Sequence, residues 1–175
     1  AISKCFAATG VRVGWAMGPE AIMSKMKAIL SHVGAWAPMA EQKAVARFLL
    51  QYDDINNYLQ HFKAEISLRL QKIYNGFMRL KAEGLPVDAI APQAAIYLTV
   101  RVTARGMKTT SEQLLEQQKD VTGYLLNEAG IALVPFYAFG ASKDSSWYRL
   151  SVGTCKKEEM DAMIEALPQA LRKLK

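Results

Sequence analysis

The chain has 175 residues, of which 51% are hydrophobic and 22% are charged. This composition is enough for one packed domain, or one domain and part of another, and it excludes intrinsic disorder. The formal net charge is +6, but the basic residues are scattered, which predicts a solvated surface and no nucleic-acid partner.

Cysteine usage and hydropathy narrow the class of protein further. The two cysteines are far apart, with no disulfide or metal-binding spacing, and no apolar run is long enough to cross a bilayer. No signal peptide is visible. We therefore expect a reducing, cytoplasmic location, no metal site and no membrane partner.

The first quarter of the chain is predicted to contain one strand and two helices. Alternating residues from Val13 to Met17 favour a short strand. Pro19 is placed to begin a helix that runs to about Leu30, followed by a loop, and Pro38 is placed to begin a second helix.

A long helix follows. Asp53 or Asp54 is a suitable N-cap, and apolar residues recur at helical spacing until Gly84 and Pro86 end the pattern. A helix of about 27 residues would extend roughly 40 Å, which is enough to bridge two domains.

The rest of the chain alternates strands and helices. A strand is predicted to end near Val102, and a helix is predicted from Ser111 to Glu128, closed by Gly130. The remaining predicted elements are strands at 131–135 and 147–153, a loop between them, and an amphipathic helix from 156. This order predicts a compact α/β unit.

The opening residues, AISKCFAATGVRVG, carry the first candidate site. A lysine amine attacks a carbonyl when it is neutral, and burial or a nearby cation lowers its pKa toward that state. Lys4 lies among small and apolar residues, which favours burial, while Arg12 can grip a phosphate and Ser3 can add a hydroxyl donor. The pattern fits a lysine that bonds a carbonyl cofactor, but a frayed terminal lysine and a surface arginine fit the same spacing.

Arg149 is the second candidate. It interrupts an apolar strand after a glycine-containing loop, and an arginine there can bind a carboxylate through two parallel hydrogen bonds. A solvent-facing strand residue is the alternative. Tyr137 and Phe139 either line a pocket or belong to the core, whereas His32 and His61 have no visible base partner.

These opening residues resemble the cofactor-lysine signature of the class I and II aminotransferases, pyridoxal-phosphate enzymes of fold type I. The matching positions are Ile2, Ser3, Lys4, Ala7, Ala8, Gly10, Arg12, Val13 and Gly14, with Ala1 where glycine or serine is usual. Further family motifs follow in order at Pro92, 130–135, 139–140 and 148–151. Tyr137 and the pair Ala94 and Ala95 depart from the family pattern.

The resemblance implies an α/β fold in three parts. Residues 1–52 would be the tail of the large domain that binds pyridoxal phosphate, and residues 53–175 would be the interdomain helix and the small C-terminal domain. Lys4 would be the catalytic residue that bonds the cofactor and shuttles a proton. Ser3 and Arg12 would bind the cofactor phosphate, and Arg149 would clamp the α-carboxylate of the substrate.

The implied function is transfer of an amino group between an amino acid and a 2-oxo acid in a homodimer, with residues 31–36 near the partner. A lyase or decarboxylase on the same scaffold and a non-enzymatic binding module are the alternatives. The family takes further cofactor ligands from sequence before the lysine. We therefore expect this chain to be the C-terminal portion of a longer protein, inactive alone and unable to hold pyridoxal phosphate tightly.

Overall fold

The computed structural model describes residues 1–175, which divide into two compact units, 1–63 and 64–175. The six α-helices are α1 (Ile2–Cys5), α2 (Glu20–Val33), α3 (Met39–Phe48), α4 (Tyr52–Ala82), α5 (Gln118–Ala129) and α6 (Lys157–Arg172). The four strands are β1 (Val87–Ala89), β2 (Tyr97–Val102), β3 (Val134–Pro135) and β4 (Trp147–Ser151). Even the longest helix, α4, lacks the apolar run that crossing a membrane requires.

Two prolines begin the helices of the first unit, as predicted. Pro19 and Pro38 are the N-caps of α2 and α3, where the missing N–H of proline costs no intrahelical hydrogen bond. The predicted end of α2 at Leu30 is three residues short. The helix ends at Val33 because Gly34 adopts the left-handed conformation (φ 72°) that terminates helices.

The strand predicted from Val13 to Met17 is wrong. These residues form no β-ladder, and a 3₁₀ turn precedes them at Thr9–Val11. Within residues 1–63 the only strand-like contact of this segment is one hydrogen bond, from the Ile2 N–H to the Val13 carbonyl at 3.5 Å. Alternation alone does not make a strand when no neighbouring strand supplies the ladder partners.

The core of the first unit is small. Ile2, Val13 and Val45 are its buried apolar residues, and they pack together. The partly buried residues around them are Phe6, Ala8, Val11, Ala37 and Leu49. The Phe6 ring also meets Phe48 edge-on, with 5.1 Å between centroids. This cluster fixes the start of the chain against α3.

The second unit is built on an antiparallel sheet with strand order β1-β2-β4-β3. The predicted strands at β2 and β4 are confirmed, and Thr99 of β2 lies opposite Arg149 of β4. The strand predicted at 131–135 pairs only at Val134 and Pro135. The sequence does not predict β1, because its three residues are too few to show a period.

Helix α4 is 31 residues long, and in the second unit it supplies a buried apolar stripe. The helix begins at Tyr52, so Asp53 and Asp54 lie in its first turn and neither is the N-cap. The buried residues of the stripe are Ile66, Leu70, Ile73, Gly76, Phe77 and Leu80. A Cβ added at Gly76 would lie 2.9 Å from Cδ1 and Cγ1 of Ile164, so glycine permits the close approach of α6.

Helix α5 begins seven residues later than predicted, at Gln118. The Thr109 hydroxyl accepts the Gln113 N–H at 3.2 Å and Glu112 has a positive φ of 61°, so the intervening residues form turns. Threonine competes with helix formation through such local bonds. The predicted end is confirmed, because Gly130 (φ 66°) is the C-cap.

A charged cluster links α4 to the sheet. The Asp88 carboxylate accepts hydrogen bonds from Lys81 Nζ at 2.9 Å and from Arg101 at 3.0 Å. The hydrogen bond from Lys81 is the largest cause that lowers the pKa of Asp88, with the Ala89 N–H and the Arg101 charge acting in the same direction against burial. Asp88 is therefore ionised at neutral pH.

Candidate functional site

Lys4 lies in α1 with its side chain exposed, so the expectation of a buried lysine is not met. The helix has four residues, of which only Ile2 is buried, and it is too short to enclose the lysine. The Lys4 amine makes no hydrogen bond or ion pair within the chain and is accessible to a ligand.

Arg12 occupies a backbone conformation that is uncommon for a residue with a side chain. It has φ 57° and ψ 34°, and Ala7 has φ 51°, so a left-handed non-glycine residue stands at each end of the segment from Ala7 to Arg12. Such conformations cost roughly 1–3 kcal/mol each and occur preferentially at functional sites. One guanidinium nitrogen of Arg12 donates to the Thr9 carbonyl at 3.1 Å, and the group is otherwise exposed.

Lys4 and Arg12 lie on neighbouring backbone segments. Ile2 and Val13, which hydrogen-bond to each other and share the small core, immediately flank the Ser3–Lys4 pair and Arg12. A Cβ added at Gly14 would lie 3.3 Å from the Ala1 Cβ, so the two segments also approach closely there. The structure thus brings the backbone of Ser3 and Lys4 close to the backbone of Arg12.

Arg149 lies on β4, half-buried between two aromatic rings. The centre of its guanidinium is 4.6 Å from the centroid of Tyr97 and 4.4 Å from that of Phe139. Aromatic faces attract a cation and restrain the plane of a guanidinium. The N–H edges of Arg149 make no hydrogen bond within the chain and remain available to a ligand.

The unpaired state of Arg149 distinguishes it within residues 64–175. All other arginines of this unit contact a carboxylate, namely Arg69, Arg79, Arg101, Arg105 and Arg172. A half-buried arginine without a carboxylate partner is the side chain best prepared to bind one from a ligand.

The sequence leaves the role of Phe139 open and gives no reason to single out Tyr97. Phe139 is 55% exposed, so it is not a core residue, and its ring lies against Arg149. Tyr97 begins β2 on the face that also bears Thr99, the residue opposite Arg149. The alternation of β2 indicates that Tyr97 and Thr99 share one face. It identifies Tyr97 as a neighbour of Arg149 only when the pairing of β2 with β4 is known.

Comparisons with known proteins give the family. Residues 1–167 match the model of the family described as aminotransferase class I and II. The aspartate aminotransferase of Rhizobium meliloti is 29% identical over 174 residues, which cover 99% of this chain and 40% of that protein. A probable aspartate/prephenate aminotransferase of Rickettsia prowazekii is 28% identical over 164 residues, covering 93% of this chain and 39% of that protein.

Solved structures agree with this result. The crystal structure of the aspartate aminotransferase from Rhizobium meliloti superposes with a TM-score of 0.76 at 25% identity, covering 99% of this chain and 41% of that one. The aromatic aminotransferase from Pyrococcus horikoshii OT3 shares the fold, with a TM-score of 0.79 at 22% identity over 98% of this chain and 41% of that one. The predicted α/β fold of part of an aminotransferase is thereby confirmed. This chain spans about 40% of the length of the curated relatives it matches, and it belongs to the class I and II aminotransferase family.

Proposed function

We propose that the intact protein that carries this chain transfers an amino group between an amino acid and a 2-oxo acid, with pyridoxal phosphate as cofactor. The observation that carries the proposal is the free Lys4 amine on a segment hydrogen-bonded beside Arg12. Membership of the aminotransferase family supports the same reaction.

The donor set around Lys4 fits a phosphorylated aldehyde. A primary amine is the group that condenses with an aldehyde, while a guanidinium and a hydroxyl suit a phosphate. When bound, pyridoxal phosphate supplies an electron sink for the bonds at the substrate Cα. In this proposal Lys4 Nζ would bond the aldehyde carbon of the cofactor with loss of water, and the amino group of the substrate would then take its place. The freed Lys4 amine would move the Cα proton, and Arg12 and Ser3 would bind the phosphate.

Arg149 is proposed to bind the α-carboxylate of the amino acid. Its guanidinium has no acidic partner in the chain, and the rings of Tyr97 and Phe139 restrain its plane. A guanidinium held in one plane offers two parallel N–H donors to a carboxylate at a lower entropic cost than a free side chain.

We further propose a homodimer in the cytoplasm. Helix α2 has no buried residue and exposes several large apolar side chains, among them Ile22, Met26, Ile29 and Val33. An apolar patch of this kind is typical of a surface that is covered in the intact protein. The segment 31–36, predicted to approach the partner, comprises the end of α2, the turn at Gly34 and the exposed Trp36.

The test of the catalytic lysine uses the intact protein, incubated with pyridoxal phosphate and reduced with borohydride. Peptide mapping is expected to find the cofactor on Lys4, and Lys4→Ala is expected to abolish both the label and amino transfer. Lys25→Ala, which removes an exposed lysine of α2, is the matched control and should change neither. Label on a different lysine, or no label, would contradict the proposal.

The role of Arg149 is tested by steady-state kinetics with amino-acid and 2-oxo-acid pairs. Loss of two charge-assisted hydrogen bonds of about 1.5 kcal/mol each corresponds to a rise in KM on the order of 100-fold for Arg149→Gln. Arg47→Gln, at an exposed arginine of α3, should leave KM unchanged. Product analysis in the same assay distinguishes amino transfer from lyase or decarboxylase chemistry.

A further inference from the structure

A cavity in residues 64–175 lies beside the Arg149 stack but is lined by other residues. Its volume is about 520 Å³, and its lining residues are Arg105, Gln117, Gln118, Lys119, Tyr137, Lys143 and Asp144. Neither Arg149 nor its two aromatic neighbours line it. Cavities that bind small molecules commonly have volumes of roughly 300–1,000 Å³.

The lining of this cavity is cationic. Arg105 and Asp144 form an ion pair and neutralise each other. Lys119 and Lys143 have no ion-pair or hydrogen-bond partner in the chain, so two ammonium charges are uncompensated. Helix α5 begins at Gln118, and its N-terminal end carries partial positive charge, although the Asp120 carboxylate caps it by accepting the Gln117 N–H at 2.8 Å.

Gln118 lines the cavity with a side chain that is almost completely buried. The residue is only 2% exposed, and its Nε2 has no hydrogen-bond partner. Burying an amide donor without an acceptor costs about 1–3 kcal/mol, and buried donors in native proteins nearly always have a hydrogen-bond partner. In its present orientation Nε2 has no access to solvent, so the amide must turn before its N–H groups can reach an acceptor in the cavity.

Tyr148, next to Gln118, also has a buried polar atom without a hydrogen-bond partner. It is fully buried, its hydroxyl has no hydrogen-bond partner, and burial raises its pKa to about 12. Gln118 and Thr122 lie close enough to oppose that rise in pKa, although neither makes a hydrogen bond of normal geometry with the phenol. A half-turn of the Gln118 amide would let Oε1 accept from the Tyr148 hydroxyl and release both Nε2 hydrogens to an acceptor in the cavity.

We propose that this cavity binds a small organic phosphate, with its phosphate on Lys119, Lys143 and the Gln118 amide and its organic part against the Tyr137 ring. Two free ammonium groups and a helix N-terminus match a dianion better than a single carboxylate. The cavity is larger than one phosphate ion, and the half-buried Tyr137 offers an aromatic face to the remainder. This inference does not depend on the proposed amino transfer.

The test is calorimetric titration of AMP into the intact protein, already loaded with pyridoxal phosphate so that the cofactor site is filled. We expect one AMP per chain and at least tenfold weaker binding to the double variant Lys119→Gln/Lys143→Gln. The double variant Lys25→Gln/Lys43→Gln removes the same charge from exposed positions of the first unit and should bind AMP as the parent protein does.

Further probes separate the parts of the proposed site. Gln118→Glu should abolish AMP binding by placing a carboxylate at the phosphate, and circular dichroism establishes whether that variant is folded. Tyr137→Leu should weaken AMP but not inorganic phosphate. The proposal is overturned if AMP does not bind at millimolar concentration, or if the Lys119→Gln/Lys143→Gln variant, whose changes are on the surface, binds it undiminished.

Discussion

Residues 1–63 and residues 64–175 differ sharply in how much apolar surface they bury. The first unit has three buried apolar residues, whereas the second has 24. The first unit also has twelve of the large exposed hydrophobic side chains, against six in the second. Because apolar burial is the main stabilising contribution to folding, the two units are expected to differ in local stability.

This difference extends to the candidate functional residues. Lys4 and Arg12 lie on a segment held by the three-residue core, with two left-handed residues nearby. Arg149 lies on a central strand of the sheet, between two aromatic rings. The proposed carboxylate clamp is therefore preorganised by the chain itself, whereas the proposed cofactor segment has little support of its own.

The largest expected effect is the loss of a core side chain in the second unit. Phe77 is 1% exposed, and Phe77→Ala should lower the free energy of unfolding by about 3–5 kcal/mol. Val45→Ala in the first unit removes the equivalent of two methylene groups and should cost about 1.5 kcal/mol. Urea unfolding measures both losses, and a Phe77→Ala loss well below 3 kcal/mol would contradict the dense packing inferred for the second unit.

The next largest expected effect is on KM, from loss of an aromatic ring that contacts Arg149. Phe139→Leu removes one of two cation–aromatic contacts, each worth about 1 kcal/mol, and should raise KM for the amino acid roughly fivefold with little change in kcat. Phe136→Leu is the matched control, because Phe136 contacts Phe139 and not the guanidinium. If both variants behave alike, the stack does not position Arg149.

A substitution at Tyr148 tests whether the second unit, which buries more apolar surface, contains a polar group without a hydrogen-bond partner. Without added ligand, Tyr148→Phe removes the partnerless hydroxyl and should leave stability unchanged or raise it by about 1 kcal/mol at pH 7. In the parent protein burial raises the pKa from 10.0 to about 12. The contribution of neutral Tyr148 is thus complete below pH 10 and lost between pH 10 and 12, a loss that alkaline unfolding of the variant should not show.

An effect of similar size concerns the charges on the sheet. The pKa of Asp88 lies below its ordinary value of 3.8, so its stabilising contribution is present above that value and is lost as pH falls through the lowered pKa. Asp88→Asn should cost about 1 kcal/mol at pH 7 and progressively less as the pH falls below 3.8, measured by thermal unfolding. A larger cost would mean that charges, and not only apolar burial, distinguish the two units.

Local signals in the sequence predicted most elements of the fold. Proline at the start of α2 and α3, apolar periodicity along α4, and a C-terminal glycine at α5 each depend on a few neighbouring residues. The failures depend on distant or competing partners. The strand at Val13–Met17 lacks a pairing strand, and the Thr109 hydroxyl delays the start of α5.

In the candidate site, too, the sequence predicts what depends on neighbouring residues and misses what depends on distant ones. The sequence identified Lys4, Arg12 and Arg149 through motifs, and their roles remain predictions. It did not predict that α1 leaves Lys4 exposed or that Tyr97 covers Arg149, because both depend on packing across segments. The cavity at Gln118 had no sequence signal, since its lining residues come from four separate stretches of the chain.

The contact between Gly76 and Ile164 has a consequence for the evolution of this chain. With 2.9 Å from a built Cβ to Cδ1 and Cγ1 of the isoleucine, a side chain at position 76 requires the residue at position 164 to move or to be smaller. Homologues with alanine at position 76 should therefore favour a residue without γ carbons, such as alanine, at position 164.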